Sequence, residues 1–263
     1  LAARVADRDV FLLEALGYGL GTTYEGKPLG TFGDCAVLNF QQGKPIPVGG
    51  GMVLSQDPAL EFSDEGRPAV GPNVVSVAGY AMLSRPRPYY AYNRLTDRLK
   101  DMDLLPDRVT THPESKFDVE YSPPFATISD FQGAIAERVF HRLEDHARMR
   151  RRTARFYERE FSDCPRIGVL EPVEGLSKVQ YVRFPLFAES ETLRDRIRTA
   201  LVEDGIQAST LYDWPIIDPE TFPGAGRLQR GIVTLPTHPY VDDRDRRRIV
   251  DTVRQVVAGD DRV

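Results

Sequence analysis

Ala36-Val37-Leu38-Asn39-Phe40-Gln41-Gln42-Gly43-Lys44-Pro45-Ile46-Pro47-Val48-Gly49-Gly50-Gly51-Met52-Val53 is the stretch that decides how this 263-residue chain is read. The apolar run from Cys35 to Phe40 reads as a buried strand, and Met52-Val53-Leu54 as the next one. Two prolines and a glycine triplet forbid regular structure between them, so Lys44 sits on a loop. A lone lysine is most often a solvated surface residue. This one follows a strand directly and enters a loop stiffened by Pro45 and Pro47, which holds an amine near the end of a sheet, where small-molecule sites gather. Burial lowers the pKa of an amine from about 10.4, and such an amine is a competent Schiff-base nucleophile. The chain has only five lysines (Lys27, Lys44, Lys100, Lys116 and Lys178) beside 29 arginines, so amine chemistry has few candidates.

Upstream, Val10-Phe11-Leu12-Leu13 reads as a strand buried on both faces, followed by the turn Gly17-Tyr18-Gly19-Leu20-Gly21 and a hairpin-like loop to Gly30. Residues 56–124 show little order beyond a short helix over Val74 to Leu83, which Arg85-Pro86-Arg87-Pro88-Tyr89-Tyr90 ends. Ser129-Asp130-Phe131-Gln132 has the S-x-x-Q capping-box form. It opens one long helix, whose apolar positions Phe131, Ile135, Val139, Leu143, Ala147, Ala154, Tyr157 and Phe161 keep helical spacing. A compact α/β unit closes the chain. Strands are expected at Val179 to Phe187, Ile206 to Leu211 and Gly231 to Leu235, and helices at Thr192 to Asp204 and Asp243 to Val257.

Composition excludes several functions. Hydrophobic residues make up 41% and charged residues 28%, as in soluble globular proteins, and no apolar run approaches a membrane span. A net charge of −5 opposes a broad nucleic-acid surface, and the arginines at 148 and 150–152 spread around a helix as a solvated face. Two cysteines and four histidines, with His141 and His146 badly spaced for one metal, give no metal site. The glycine turn at 17–21 meets Pro28 and further glycines where a dinucleotide-binding loop needs a helix. Gly43-Lys44 lacks the earlier glycine and the following Ser/Thr of a phosphate-binding P-loop. The expectation is a soluble, cytoplasmic α/β protein. The chain opens at Leu1, inside an amphipathic helical pattern and without Met, so it reads as a fragment or processed product.

Five ordered motifs resemble the DegT/DnrJ/StrS family of pyridoxal 5′-phosphate (PLP)-dependent sugar aminotransferases. Leu13-Glu14-Ala15 through Gly33-Asp34 is similar to the family's E-D-A-A-Q-A-x-G-A-x-Y-x-G-K-x-x-G-x-F-G-D stretch. Ala36 to Lys44, followed by Gly49-Gly50-Gly51-Met52-Val53, resembles its strand, Schiff-base lysine and glycine loop. Ser129 to Ala134 resembles its S-D-L-Q-A-A helix start, Tyr212 to Pro215 its Y-P-x-P, and Leu235 to Pro239 its L-P-x-H-P. The resemblance implies a fold type I α/β architecture. Residues 1–124 would be the C-terminal part of the PLP-binding large domain with an extended insertion. Residues 125–263 would be the long helix and the small α/β domain. The family's N-terminal phosphate loop and ring-stacking aromatic would lie upstream of Leu1.

By the same resemblance, the protein is a homodimer that aminates a keto-sugar nucleotide for amino-sugar biosynthesis, with glutamate or glutamine as donor. Lys44 is then the catalytic Schiff-base lysine and proton carrier. Asn39 stands where the family often has a serine and would donate to the cofactor phosphate. Tyr18 stands at the family's glutamine and would stack on or hydrogen-bond the cofactor. The family's aspartate, partner of the cofactor ring nitrogen, aligns with Ala15, and an interface asparagine aligns near Phe125. Glu14 is the adjacent carboxylate, but one step along a strand turns it to the opposite face unless the strand bulges. The alternative is a catalytically degenerate family member acting as a dimer partner or ligand-binding protein.

Overall fold

A computed structural model describes residues 2–5, 9–41, 43–55, 57–61, 71–83, 85–102, 127–210, 218 and 220–260. In chain order the elements are α1 (Ala2–Val5), β1 (Leu13–Leu16), β2 (Thr23–Tyr24), β3 (Lys27–Pro28), β4 (Cys35–Asn39), β5 (Gly51–Ser55), α2 (Gly71–Leu83), α3 (Pro86–Asp101), α4 (Asp130–Phe140), α5 (Leu143–Phe161), β6 (Ile167–Val169), β7 (Leu176–Ser177), β8 (Arg183–Ala188), α6 (Glu191–Glu203), α7 (Pro223–Gly231), β9 (Ile232–Pro236) and α8 (Asp243–Asp260). They group into two units. The first comprises residues 1–84, 121–151 and 172–182, the second 85–120, 152–171 and 183–263. The boundary expected between residues 124 and 125 falls outside the described residues, as does the Tyr212 to Pro215 motif.

The first unit is built on the mixed sheet β1-β4-β5, in which β1 runs parallel and β5 antiparallel to β4. Leu16, Ala36, Leu38 and Phe40 turn into a core completed by Ile46, Val48 and Ala136. Two of those seven, Ile46 and Val48, come from the Lys44 loop itself, which is therefore anchored in the hydrophobic core. The strand expected at residues 10–13 forms three residues later. Val10, Phe11 and Leu13 are each at least half exposed, and the ladder runs from Leu13↔Cys35 to Leu16↔Leu38. Its start is fixed by Asp34, whose Oδ2 accepts from the Leu12 N–H at 2.7 Å while its own N–H donates to the Leu12 carbonyl at 2.9 Å. A small second sheet, β3-β2-β7, ties the hairpin at 22–30 to residues 176–177.

Helix α4 begins where expected. Ser129 and Gln132 make the full capping box. The single long helix is instead two, because the chain turns at His141 and Arg142 before α5 begins. Arg142 N–H reaches back three residues to the Val139 carbonyl, a tightened last turn with no glycine or proline to announce it. Residues 85–90 also depart from expectation. They end α2 but open α3, since proline is tolerated in a first helical turn, where its missing N–H would be unpaired anyway.

The second unit holds the antiparallel sheet β6-β8-β9. Burial alternates strictly along β8, and β9 is buried throughout. Helix α6, capped by Ser190, buries Leu193, Ile197 and Leu201, and α8 buries Ile249, Val250, Val253 and Val257. The strand expected at Ile206 to Leu211 is reduced to one bridge, Ser209↔Thr234, and Leu211 lies outside the described residues. Tyr157 on α5 is fully buried, and its hydroxyl donates to the Pro236 carbonyl at 3.1 Å. Burial pushes its phenol well above the ordinary range, so it stays a donor at any physiological pH. Tyr157→Phe should cost about 1 kcal/mol in denaturant unfolding, the worth of one such bond.

Candidate active site

The site is assembled in the first unit from the ends of β1 and β4. Where β4 stops, the Asn39 Oδ1 accepts from the Gln41 N–H at 2.8 Å, and its Nδ2 lies 3.4 Å from the Gln41 Oε1. This local turn redirects the chain out of the sheet. The loop then closes at its base: the Gly49 N–H donates to the Phe40 carbonyl at 2.7 Å, and the Phe40 N–H to the Gly50 carbonyl at 2.9 Å. Phe40, Ile46 and Val48 are each at most 3% exposed. Lys44 is thus strung between buried anchors on either side, with its own N–H donating to the Gln41 carbonyl at 3.2 Å.

Half-buried Lys44 brings its Nζ 3.5 Å from the centroid of the Tyr18 ring. A methyl group at Gly17, just past β1, would touch the same nitrogen at 3.5 Å. Larger side chains there would crowd the amine. Lys44 and Tyr18, singled out separately from the sequence, therefore meet. The ring face attracts the ammonium, and the ordering cost of a flexible four-carbon stem is offset by that contact and by packing against the turn.

Glu14 is placed elsewhere. Its Oε1 accepts from the N–H groups of Phe32 at 2.6 Å and Gly33 at 2.8 Å, and its Oε2 from Gly30 at 2.8 Å. The β1 ladder is regular, with Glu14↔Ala36 and Ala15↔Val37 in register. No bulge swings the carboxylate round, so Glu14 is a loop anchor and not a residue facing the amine. Ala15 is exposed and supplies no carboxylate. The expected interface position near Phe125 lies outside the described residues. One residue that sequence reasoning took only for a helix cap, Gln132, also contacts the Lys44 loop: its Nε2 donates to the Val48 carbonyl at 2.9 Å. The S-x-x-Q signal locates that residue but not its second partner.

The model of the DegT/DnrJ/EryC1/StrS aminotransferase family matches residues 1–65 and 116–254. The chain belongs to this family. The gap in the match falls within the stretch between β5 and α4, where an extended insertion is expected. Among relatives of the DegT/DnrJ/EryC1/StrS chain is a dTDP-4-dehydro-2,3,6-trideoxy-D-glucose 4-aminotransferase of Saccharopolyspora spinosa. It is 25% identical over 95% of this chain and 60% of its own length. The aminotransferase TlmJ from Streptoalloteichus hindustanus superposes with a TM-score of 0.67 at 20% identity, over 98% of this chain and 61% of that one. The PLP form of the sugar aminotransferase Spr1654 from Streptococcus pneumoniae does so with a TM-score of 0.63 at 17% identity, over 95% and 58%. The fold is that of these aminotransferases, and the chain spans about three-fifths of the length of the relatives it matches. No helix among the described residues is long and apolar enough to cross a membrane.

Proposed function

We propose that the protein is a PLP-dependent aminotransferase that transfers an amino group to a keto-sugar nucleotide, drawing it from a donor such as glutamate, and that Lys44 forms the Schiff base. The observation that carries this is the placement of the Lys44 amine: half-buried, over the Tyr18 ring and beside Gly17, at the ends of two parallel strands. The donor set fits the cofactor at that point, with a primary amine for its aldehyde and a ring to border it. PLP, when bound, supplies the electron sink. Lys44 would hold the group as a Schiff base and, once an incoming amine displaces it, its freed amine would carry a proton at the substrate carbon. Asn39, whose amide nitrogen has two N–H groups, one directed at the Gln41 Oε1 at 3.4 Å, would donate to the phosphate. Tyr18 confines the amine and borders the ring. Family membership supports a homodimer in the cytoplasm.

A second reading, a non-catalytic dimer partner or ligand-binding member, is favoured by Ala15 together with the commitment of Glu14 to residues 30–33. Without a carboxylate the ring nitrogen is less readily protonated, and the electron sink weakens. Titration of the complete protein with PLP separates the two. A visible band that saturates and is bleached by borohydride, which leaves the cofactor covalently attached, supports the enzyme, and no band at saturating cofactor supports the second reading. Ala15→Asp should tighten PLP binding and raise amino-group transfer about tenfold, the worth of one charge-assisted hydrogen bond.

A further inference from the structure

Gln132 is 5% exposed and is shared between two tasks. Its Oε1 accepts from the Ser129 N–H at 3.0 Å and the Ser129 hydroxyl at 3.1 Å, completing the cap of α4. Its Nε2 leaves the helix and donates to the Val48 carbonyl, 84 residues earlier in the chain. A cap alone needs only the oxygen. Two glycines then follow with positive φ, +84° at Gly49 and +74° at Gly50. A Cβ on Gly49 would approach the Gln132 Nε2 to 3.2 Å, and one on Gly50 would strike Ile128 at 2.4 Å. The returning limb of the loop is therefore pressed against the start of α4, and only glycine permits that approach.

The mechanical consequence concerns Lys44. The loop is closed at Phe40 by Gly49 and Gly50, so the limb bearing Lys44 has its far end defined by Val48. We propose that Gln132 is a positioning residue: by holding the Val48 carbonyl to the α4 cap it fixes where the Lys44 amine sits over Tyr18. Its effect on cofactor capture rests on the reading of Lys44 as the reactive amine. Its effect on the loop does not.

Two variants of the complete protein separate positioning from simple stability. Gln132→Met keeps length and removes both the donor to Val48 and the Oε1 that accepts from Ser129. Ser129→Ala weakens the cap and leaves the bond to Val48. Acylation of Lys44 by an amine-reactive acetyl ester, read by peptide mapping against exposed Lys27 and Lys178, reports the amine's release, and amide exchange over residues 40–51 reports the loop. Gln132→Met should accelerate Lys44 acylation about fivefold, the equivalent of one lost hydrogen bond, raise exchange in the loop, and weaken PLP binding by a similar factor. Ser129→Ala, compared at equal distance below its thermal midpoint, should change none of these. If Gln132→Met does not fold, Gln132→Glu takes its place, because S-x-x-E preserves the cap while losing the N–H. Unchanged Lys44 acylation in the Gln132 variant, or equal acceleration in both variants, overturns the proposal. If the wild-type protein gives no PLP band, the aminotransferase reading fails, while the acylation and exchange ratios still decide the role of Gln132.

Discussion

Lys44→Ala is expected to abolish the PLP-dependent visible band and to lower amino-group transfer by at least about 10⁴-fold, the scale seen when a covalent nucleophile is removed. Of the four other lysines, Lys27 and Lys178 are placed where they cannot substitute. Lys27 lies over the Phe32 ring on the β2–β3 hairpin, and Lys178 is exposed just beyond β7. The fold should survive, because the loop's buried residues are Phe40, Ile46 and Val48, and its closing bonds are made by the backbone. The measurement is a cofactor titration with borohydride reduction and peptide mapping of the modified lysine. A band of wild-type strength in Lys44→Ala, or reduction fixed at another lysine, would sink the assignment.

Why Lys44 was legible, and its surroundings only partly so, follows from the physics of each signal. An apolar run ending in a Pro/Gly segment is a local pattern, and β4, the Lys44 loop and β5 appear where it puts them. The capping box at Ser129 and Gln132 is equally local. By contrast, Val10-Phe11-Leu12-Leu13 misplaces β1 because an apolar run ignores a charge that the tertiary structure has solvated. Glu14 sits inside the strand because three backbone N–H groups come to it from residues 30–33, and no periodicity reports a partner that far along the chain. The break at His141 and Arg142 is hidden for a related reason. Helical spacing continues through it, and the tightened turn uses residues with no strong preference against helix. Prolines 86 and 88 misled in the opposite sense, since the same residue stops one helix and suits the first turn of the next.

Glu14 yields the second large effect. Its carboxylate gathers three N–H groups of one turn, and the neighbouring geometry makes these hard to replace. Gly30 has φ +94°, and a Cβ there would strike Leu16 at 2.5 Å; a Cβ on Gly33 would strike the Leu12 carbonyl at 2.4 Å. The turn is thus pressed against Leu12 and Leu16, and its three N–H groups are partly buried. Glu14→Ala leaves three donors without an acceptor and should cost about 3 kcal/mol, lowering the thermal midpoint by about 10 °C. Glu14→Gln is the sharper probe. Its single oxygen can serve Phe32 and Gly33, but its NH₂ must then face the Gly30 N–H, so most of the loss persists although size is unchanged. If Glu14 were the partner of the cofactor ring nitrogen, Glu14→Gln would instead keep the midpoint and alter the cofactor's spectrum. The expected result is the reverse: a lowered midpoint, raised amide exchange over residues 29–34, and a PLP band of unchanged shape on the protein that remains folded.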